Sequence, residues 1–130
     1  MGAIGAMSAL AAVAVGGAVG SMARHGVSIA VAYLLGRPAP YATAAVNLIG
    51  SAAVGMLAGL IASGRLTIAP TMRAFVFVGL LGGFTTFSSL MLDTLTLTHA
   101  GEGSLAFSNV LGQTAMGLIA VYAGYYLATN

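Results

Sequence analysis

Four long apolar intervals constrain this chain more than any other feature of its 130 residues. They cover approximately residues 3–33, 41–63, 72–97 and 104–128. A helix that crosses a membrane needs about 20 mostly apolar residues, and each interval is long enough. Charged residues make up 5% of the chain, against about 25% in soluble domains, which leaves too few for a water-facing surface. The sequence therefore predicts an all-α integral membrane protein, a single domain over residues 1–130 with four transmembrane helices.

The connectors between the intervals are short, which predicts that neighbouring helices are antiparallel. They read GRPAP, SGRLTIAPT and THAGEG. The first interval lacks the positive segment with which a cleaved signal peptide begins, since no Lys or Arg precedes Arg24. We therefore interpret this interval as an ordinary first span rather than a removable signal.

Glycine is unusually common, with 19 residues in the chain. Many glycines are four residues apart, as at Gly16 and Gly20 or at Gly55 and Gly59. In lipid this spacing lets helix backbones approach closely. Helix packing accounts for most of these glycines.

The charged residues specify the orientation in the membrane only weakly. With four spans, Arg65 and Arg73 lie on one side and Arg37 on the other, joined by Arg24 if it lies toward that end of the first helix. The positive-inside rule needs an excess of Arg and Lys on one side. The tally therefore predicts dual topology, in which both orientations insert. The alternative is that two arginines suffice to fix one orientation.

One polar stretch interrupts the third apolar interval. Gly82 and Gly83 open the sequence GGFTTFSSL, which begins nine residues after Arg73 and so near the middle of the membrane. Paired glycines permit the backbone to leave the helix, and freed carbonyls in lipid need a cavity, water or an ion. Such a broken helix is a recurring way to build an ion site. The alternative is packing glycines, with the hydroxyl groups bonded back to their own helix.

Two further polar groups are predicted to lie within the spans. Asn47 follows Thr43 by one turn on the same face of the second helix. Its amide either joins helices or offers N–H donors to a passing anion. Arg24 lies within the first interval, where an ionisable group either faces the interior of the bundle or extends to the interface.

Several function classes lack the residues that they need. No carboxylate lies deep within a span, as a proton-coupled exporter would require. His25 and His99 are isolated near the ends of intervals, and cysteine is absent, so a histidine or thiolate metal site is not expected. No catalytic or nucleotide-binding motif is present. We expect neither an enzyme nor a nucleic-acid-binding protein.

Four motifs together resemble the Fluc fluoride channels, also called CrcB proteins. They are GGAVGSMAR, TAAVNLIG, GGFTTFS and NVLGQTAMG, one in each interval. The resemblance implies an antiparallel, dual-topology homodimer of four-helix subunits, whose third helix is broken at mid-membrane. It also implies two fluoride pores in a protein that is embedded in the lipid bilayer of the cytoplasmic (inner) membrane. Fluoride would leave the cell passively through these pores, which would lower the fluoride concentration of the cytoplasm.

The resemblance also assigns roles to individual residues. It implies a structural sodium ion on the dimer axis, bound by the backbone carbonyls of Gly82 and Thr85 from both subunits. Arg24 corresponds to an arginine at the pore vestibule. The residues that it implies for the anion pore are Phe87, Asn47, Thr43, Ser89 and Gln113.

Three positions depart from the family pattern. Leu90 stands where a second pore phenylalanine is usual, Asp93 where glutamate is common, and Gln113 where a hydroxyl residue is common. Because Leu90 lacks the aromatic ring of that phenylalanine, we expect either that fluoride conduction is slower or that this chain forms a heterodimer with a homologous subunit. The remaining alternatives are a small dual-topology multidrug exporter, which would need a carboxylate deep in the first span, and a non-conducting assembly subunit.

Overall fold

The computed structural model describes residues 2–37 and 39–130, and these residues form helices and no strand. We number the helices α1 to α5 in chain order, and α3 comprises residues 70–84. The others are α1 at Ala3–Leu35, α2 at Tyr41–Ala62, α4 at Phe87–His99 and α5 at Gly103–Thr129. By length and hydropathy they supply four candidate membrane spans, as predicted, because α3 and α4 together form the span Pro70–His99. The protein is therefore a multi-pass membrane protein.

Glycines let α1 and α3 pack with their backbones in contact. A Cβ atom on Gly16 would lie 2.5 Å from the carbonyl oxygen of Phe75, and one on Gly20 would collide with that of Leu80. From the opposite helix, a Cβ on Gly79 would lie 2.9 Å from the carbonyl oxygen of Val13. The predicted close packing at Gly16 and Gly20 is confirmed.

The second closely packed pair is α2 and α5. A Cβ on Gly59 would lie 2.5 Å from the carbonyl oxygen of Tyr125, and one on Gly55 would collide with that of Val121. Gly124 of α5 approaches the carbonyl of Ala52 in the same way. The core therefore consists of two tight helix pairs, α1 with α3 and α2 with α5, and α4 packs on α5.

Two arginines in the connectors are anchored to neighbouring groups. Arg65 donates to the backbone oxygens of Ala128 at 3.1 Å and Asn130 at 3.2 Å, so its charge lies at the negative end of the α5 dipole. Arg37 donates to the Tyr41 hydroxyl at 3.4 Å. That hydrogen bond is the main reason that the pKa of Arg37 is raised above its ordinary value.

The third candidate span departs from regular α-helix at two places. Ala74–Leu81 has the wider hydrogen-bonding pattern of a π-helix, which is rare in proteins. Between α3 and α4, Thr85 (φ −84°, ψ 161°) and Thr86 (φ −156°, ψ 120°) have extended backbones. We call these two threonines the extended segment.

The glycine pair does not itself leave the helix. Gly82 and Gly83 belong to the helical stretch Gly82–Phe84, and neither has a positive φ. The expectation that these glycines unwind is therefore wrong, because the extended conformation begins at threonine, a β-branched residue that favours it. Gly83 instead serves packing, since a Cβ there would lie 2.7 Å from the carbonyl oxygen of Gly17.

Candidate functional site

Asn47 holds the extended segment through the backbone of Thr86. Its side-chain Oδ1 accepts the Thr86 N–H at 2.8 Å, and its Nδ2 donates to the Thr86 carbonyl oxygen at 3.1 Å. In a continuous helix the Thr86 N–H would bond to the carbonyl of Gly82. The asparagine thus replaces a helical partner, which explains how the extended residue keeps its backbone groups satisfied in an apolar setting.

Asn47 also begins a row of side-chain hydrogen bonds that crosses from α2 to α5 and on to α4. Its Nδ2 donates to Gln113 Oε1 at 2.8 Å, and Gln113 Nε2 donates to Asn109 Oδ1 at 2.8 Å. Asn109 Nδ2 donates in turn to the Thr94 hydroxyl oxygen at 3.0 Å. We call these four side chains the amide chain. Because an amide nitrogen has two hydrogens, both N–H groups of Asn47 are engaged within the protein.

The Thr86 side chain caps the start of α4. Its Oγ1 accepts the backbone N–H of Ser89 at 3.2 Å and lies 3.1 Å from the Ser89 hydroxyl and 3.3 Å from that of Ser88. The three hydroxyl groups therefore form one cluster beside the extended segment. Thr85 differs, since its hydroxyl bonds back to the Leu81 carbonyl at 2.9 Å.

Thr43 lies one turn before Asn47 but has another partner. Its hydroxyl donates to Asp93 Oδ2 at 2.6 Å, a short distance that suits a charge-assisted bond to a carboxylate. Thr43 is buried and Asp93 half-buried. This pair joins α2 to α4 separately from the amide chain.

Two open clefts meet at Phe87. Their volumes are about 300 Å³ and 350 Å³, and both are lined by Asn47, Ser51, Phe87, Leu90 and Val121. The larger also reaches Gln113. The side chain of Phe87 is 74% exposed, whereas that of Leu90 is 5% exposed. An aromatic ring therefore projects from the chain next to the most polar part of its interior.

Arg24 is not joined to this cluster. It is a half-buried residue of α1, and among the residues that the structure describes no side chain is found hydrogen-bonded to its guanidinium. Of the residues predicted for the pore, the structure brings Asn47 and Gln113 into direct contact, and it places Ser89 and Phe87 at the adjacent start of α4.

The family to which the chain belongs is decided by comparison with known sequences. The family described as "CrcB-like protein, Camphor Resistance (CrcB)" matches residues 11–125. The chain belongs to the CrcB family. The resemblance inferred from the four motifs is confirmed.

CrcB relatives from several bacteria align with nearly the whole chain. A protein of Opitutus terrae is 43% identical over 95% of this chain and 95% of its own length. Another, from Paracoccus denitrificans, is 48% identical over 86% of this chain and 87% of its own length. A third, from Paramagnetospirillum magneticum, is 41% identical over 95% and 97% respectively. Each of these relatives is named a fluoride-specific ion channel, FluC.

Sequence reasoning missed three residues of the site in this CrcB protein. Thr86 was grouped with the other hydroxyls, and neither Asn109 nor Thr94 was assigned a role. A signal for Asn109 was available, because Asn109 and Gln113 are amides four residues apart in an apolar helix and so share a face. Thr94 had no such signal, since Thr96 and Thr98 bond back to the helix in the same way.

We expect the substitution Thr86→Ala to lower the free energy of unfolding by about 1 kcal/mol, the usual value of an N-cap hydroxyl. The bonds between Asn47 and Thr86 involve only the Thr86 backbone, so they are retained. Thr96→Ala is the matched control, because Thr96 is an exposed threonine within α4. Denaturation of the purified variants in detergent measures the difference, and equal losses for both variants would contradict a capping role.

Proposed function

We propose that this CrcB protein is a channel that conducts fluoride passively out of the cell across the cytoplasmic membrane. Its family membership and the channel name of its relatives support this function. The observation that carries it in this chain is the polar cluster around Asn47, which opens into clefts beside an exposed phenylalanine. A small, strongly hydrated anion needs several hydrogen-bond donors when it leaves water.

Hydroxyl donors lie on and beside the clefts, because Thr86 lines the smaller cleft and its hydroxyl is clustered with those of Ser88 and Ser89. The hydroxyls of Ser88 and Ser89 lie at the start of α4, and each can turn its hydrogen toward an anion. The ring of Phe87 has a positive edge, which attracts an anion that approaches in the ring plane. Arg24, on α1, supplies a positive charge that raises the local anion concentration at an entrance. Thr43, which lies one turn before Asn47 on α2 and is hydrogen-bonded to Asp93, would extend this path beyond the clefts.

We further propose that the working channel is an antiparallel dimer with dual topology. The Phe87 ring is largely exposed in the single chain, and Asn47 and Thr86 line an open cleft. Polar groups of this kind are not left facing lipid. A second copy that covers the clefts would remove them from lipid, and the balanced arginine tally allows both orientations.

A structural sodium ion fits the chemistry of the extended segment. The Thr86 N–H bonds to Asn47, so the Gly82 carbonyl lacks its usual helical donor, and the carbonyl of Thr85 belongs to an extended residue. Backbone carbonyls of unwound helices are suitable sodium ligands. Gly82 and Thr85 of both subunits would hold the ion, which would add a fixed positive charge near the anion path. The extended segment would then be the mid-membrane break of the third span.

The function is tested by fluoride efflux from liposomes that contain only this protein. A fluoride electrode should record rapid efflux from loaded vesicles, with no chloride efflux and no release from protein-free vesicles. Absence of fluoride efflux both from this protein alone and from this protein together with a second CrcB chain would overturn the proposed function.

A heterodimer is favoured as the second candidate by the position of Leu90. This residue lines both clefts beside Phe87, and its aliphatic side chain has no positive edge to offer an anion. If the pure protein is inactive and a second CrcB chain restores efflux, the functional unit is a heterodimer.

A further inference from the structure

The hydrogen bonds of the amide chain have a single direction. At one end, the Leu90 carbonyl can only accept, so the Thr94 hydroxyl gives its one hydrogen to it at 2.8 Å. Thr94 Oγ1 must therefore accept from Asn109. At the other end, the Thr86 N–H can only donate, which directs Asn47 Oδ1 toward it. The backbone groups at both ends therefore require the same orientation of all three amides.

This direction places the Gln113 side-chain oxygen on an N–H group of Asn47, for which an anion would compete. Gln113 presents its side-chain oxygen to Asn47 Nδ2, and it does so because its own nitrogen donates to Asn109. Asn109 is 7% exposed and Gln113 9% exposed, so most of the surroundings of both amides are protein. In such surroundings a hydrogen-bonded network is held more firmly than in water.

We propose that Asn109 and Thr94 are positioning residues that direct the Gln113 oxygen at Asn47, so that an anion must displace this oxygen to bind the Asn47 hydrogen that now points at Gln113. The part that concerns the anion rests on the proposed function, whereas the positioning itself does not. Gln113 then acts as an internal competitor of the anion, which lowers the apparent affinity of the path.

The positioning is tested by the side-chain NH₂ resonances of Asn47 in ¹⁵N-labelled protein in detergent, without fluoride. These resonances are assigned by their loss in Asn47→Asp. Thr94→Val keeps the side-chain shape but removes the hydroxyl, and we expect the Asn47 proton directed at Gln113 to shift upfield. Thr96→Val is the matched control, since Thr96 has the same bond to its own helix and is exposed. Equal, negligible shifts in both variants would overturn the positioning role.

A second variant covers the case in which Thr94→Val folds poorly. Asn109→Ala removes the bond to Gln113 directly, and it should produce the same upfield shift of the Asn47 proton. A folded Asn109→Ala protein with unshifted Asn47 resonances would also overturn the proposal.

The competition is tested by the fluoride dependence of efflux. In Thr94→Val the half-saturating fluoride concentration should fall about threefold to tenfold, the factor that one net hydrogen bond gives, and Thr96→Val should leave it unchanged. If the resonances shift but the half-saturating concentration does not, the displacement by an anion is overturned. If they shift in a protein that passes no fluoride, the positioning stands and the proposed function fails.

Discussion

Fluoride efflux should fall about a hundredfold or more when Asn47 is replaced by aspartate. A carboxylate can still accept the Thr86 N–H, but it cannot donate to the Thr86 carbonyl or to Gln113 Oε1, which Asn47 now serves. Two oxygens would face a negative charge, and an unsatisfied buried group costs about 1–3 kcal/mol. That cost lowers the stability of the variant, whereas the fall in efflux comes from the carboxylate itself, which offers no N–H group to an anion and repels it. Two like unit charges about 4 Å apart repel by about 4 kcal/mol at an effective dielectric constant of about 20, and every 1.4 kcal/mol corresponds to a factor of about ten.

The measurement is the initial rate of fluoride efflux at equal protein density in liposomes. Asn130→Asp is the matched control, since it makes the same chemical change at the exposed end of the chain. Gel filtration and thermal melting in detergent establish that both variants are folded. Wild-type efflux from a folded Asn47→Asp protein would rule out Asn47 as part of the anion path.

The largest effect on stability is expected for Gly20→Ala. The added methyl group would collide with the carbonyl oxygen of Leu80 and lie 2.8 Å from the backbone nitrogen of Phe84. Both obstacles are backbone atoms, so the helices must separate rather than rotate a side chain. Overpacking typically costs about 1–3 kcal/mol and sometimes more. We expect about 3 kcal/mol here, because the contact lies next to the extended segment.

The control for Gly20 is on the same helix. A Cβ on Gly26 meets no atom within 4 Å, so Gly26→Ala should be neutral or slightly stabilising, since alanine favours a helix over glycine. The two variants are compared by adding a denaturing detergent to protein solubilised in a mild one, and the loss of helix is followed by circular dichroism. If both unfold together with the wild type, α1 and α3 do not pack as closely as the structure describes.

The residues of the site were predictable to different degrees. Asn47 stood out because an amide in an apolar span is costly unless it has partners, and its role as a donor follows from its chemistry. Its partners were not predictable, because Thr86 and Gln113 lie 39 and 66 residues away in sequence. Only the packing of α2 against α5 and α4 brings them within hydrogen-bond distance.

The position of the extended segment illustrates the same limit. Sequence reasoning placed the departure from helix at Gly82 and Gly83, because glycine tolerates most backbone conformations. The structure places it at Thr85 and Thr86. The conformational freedom of glycine is a local property that the sequence reveals. The site at which the helix opens depends also on a partner for the freed N–H group, and that partner is the Asn47 side chain on another helix.

The sequence alone determined that this chain has four segments long and apolar enough to cross a membrane, that glycines lie where helices meet, and that it belongs to the CrcB family. These conclusions rest on hydropathy, residue size and short motifs, which are properties of neighbouring residues. The tertiary structure decided which helices pair, which residues leave the helix and which way the amides of Asn47, Gln113 and Asn109 point. Hydrogen-bond direction depends on groups from three helices at once, so it exists only after the helices have packed.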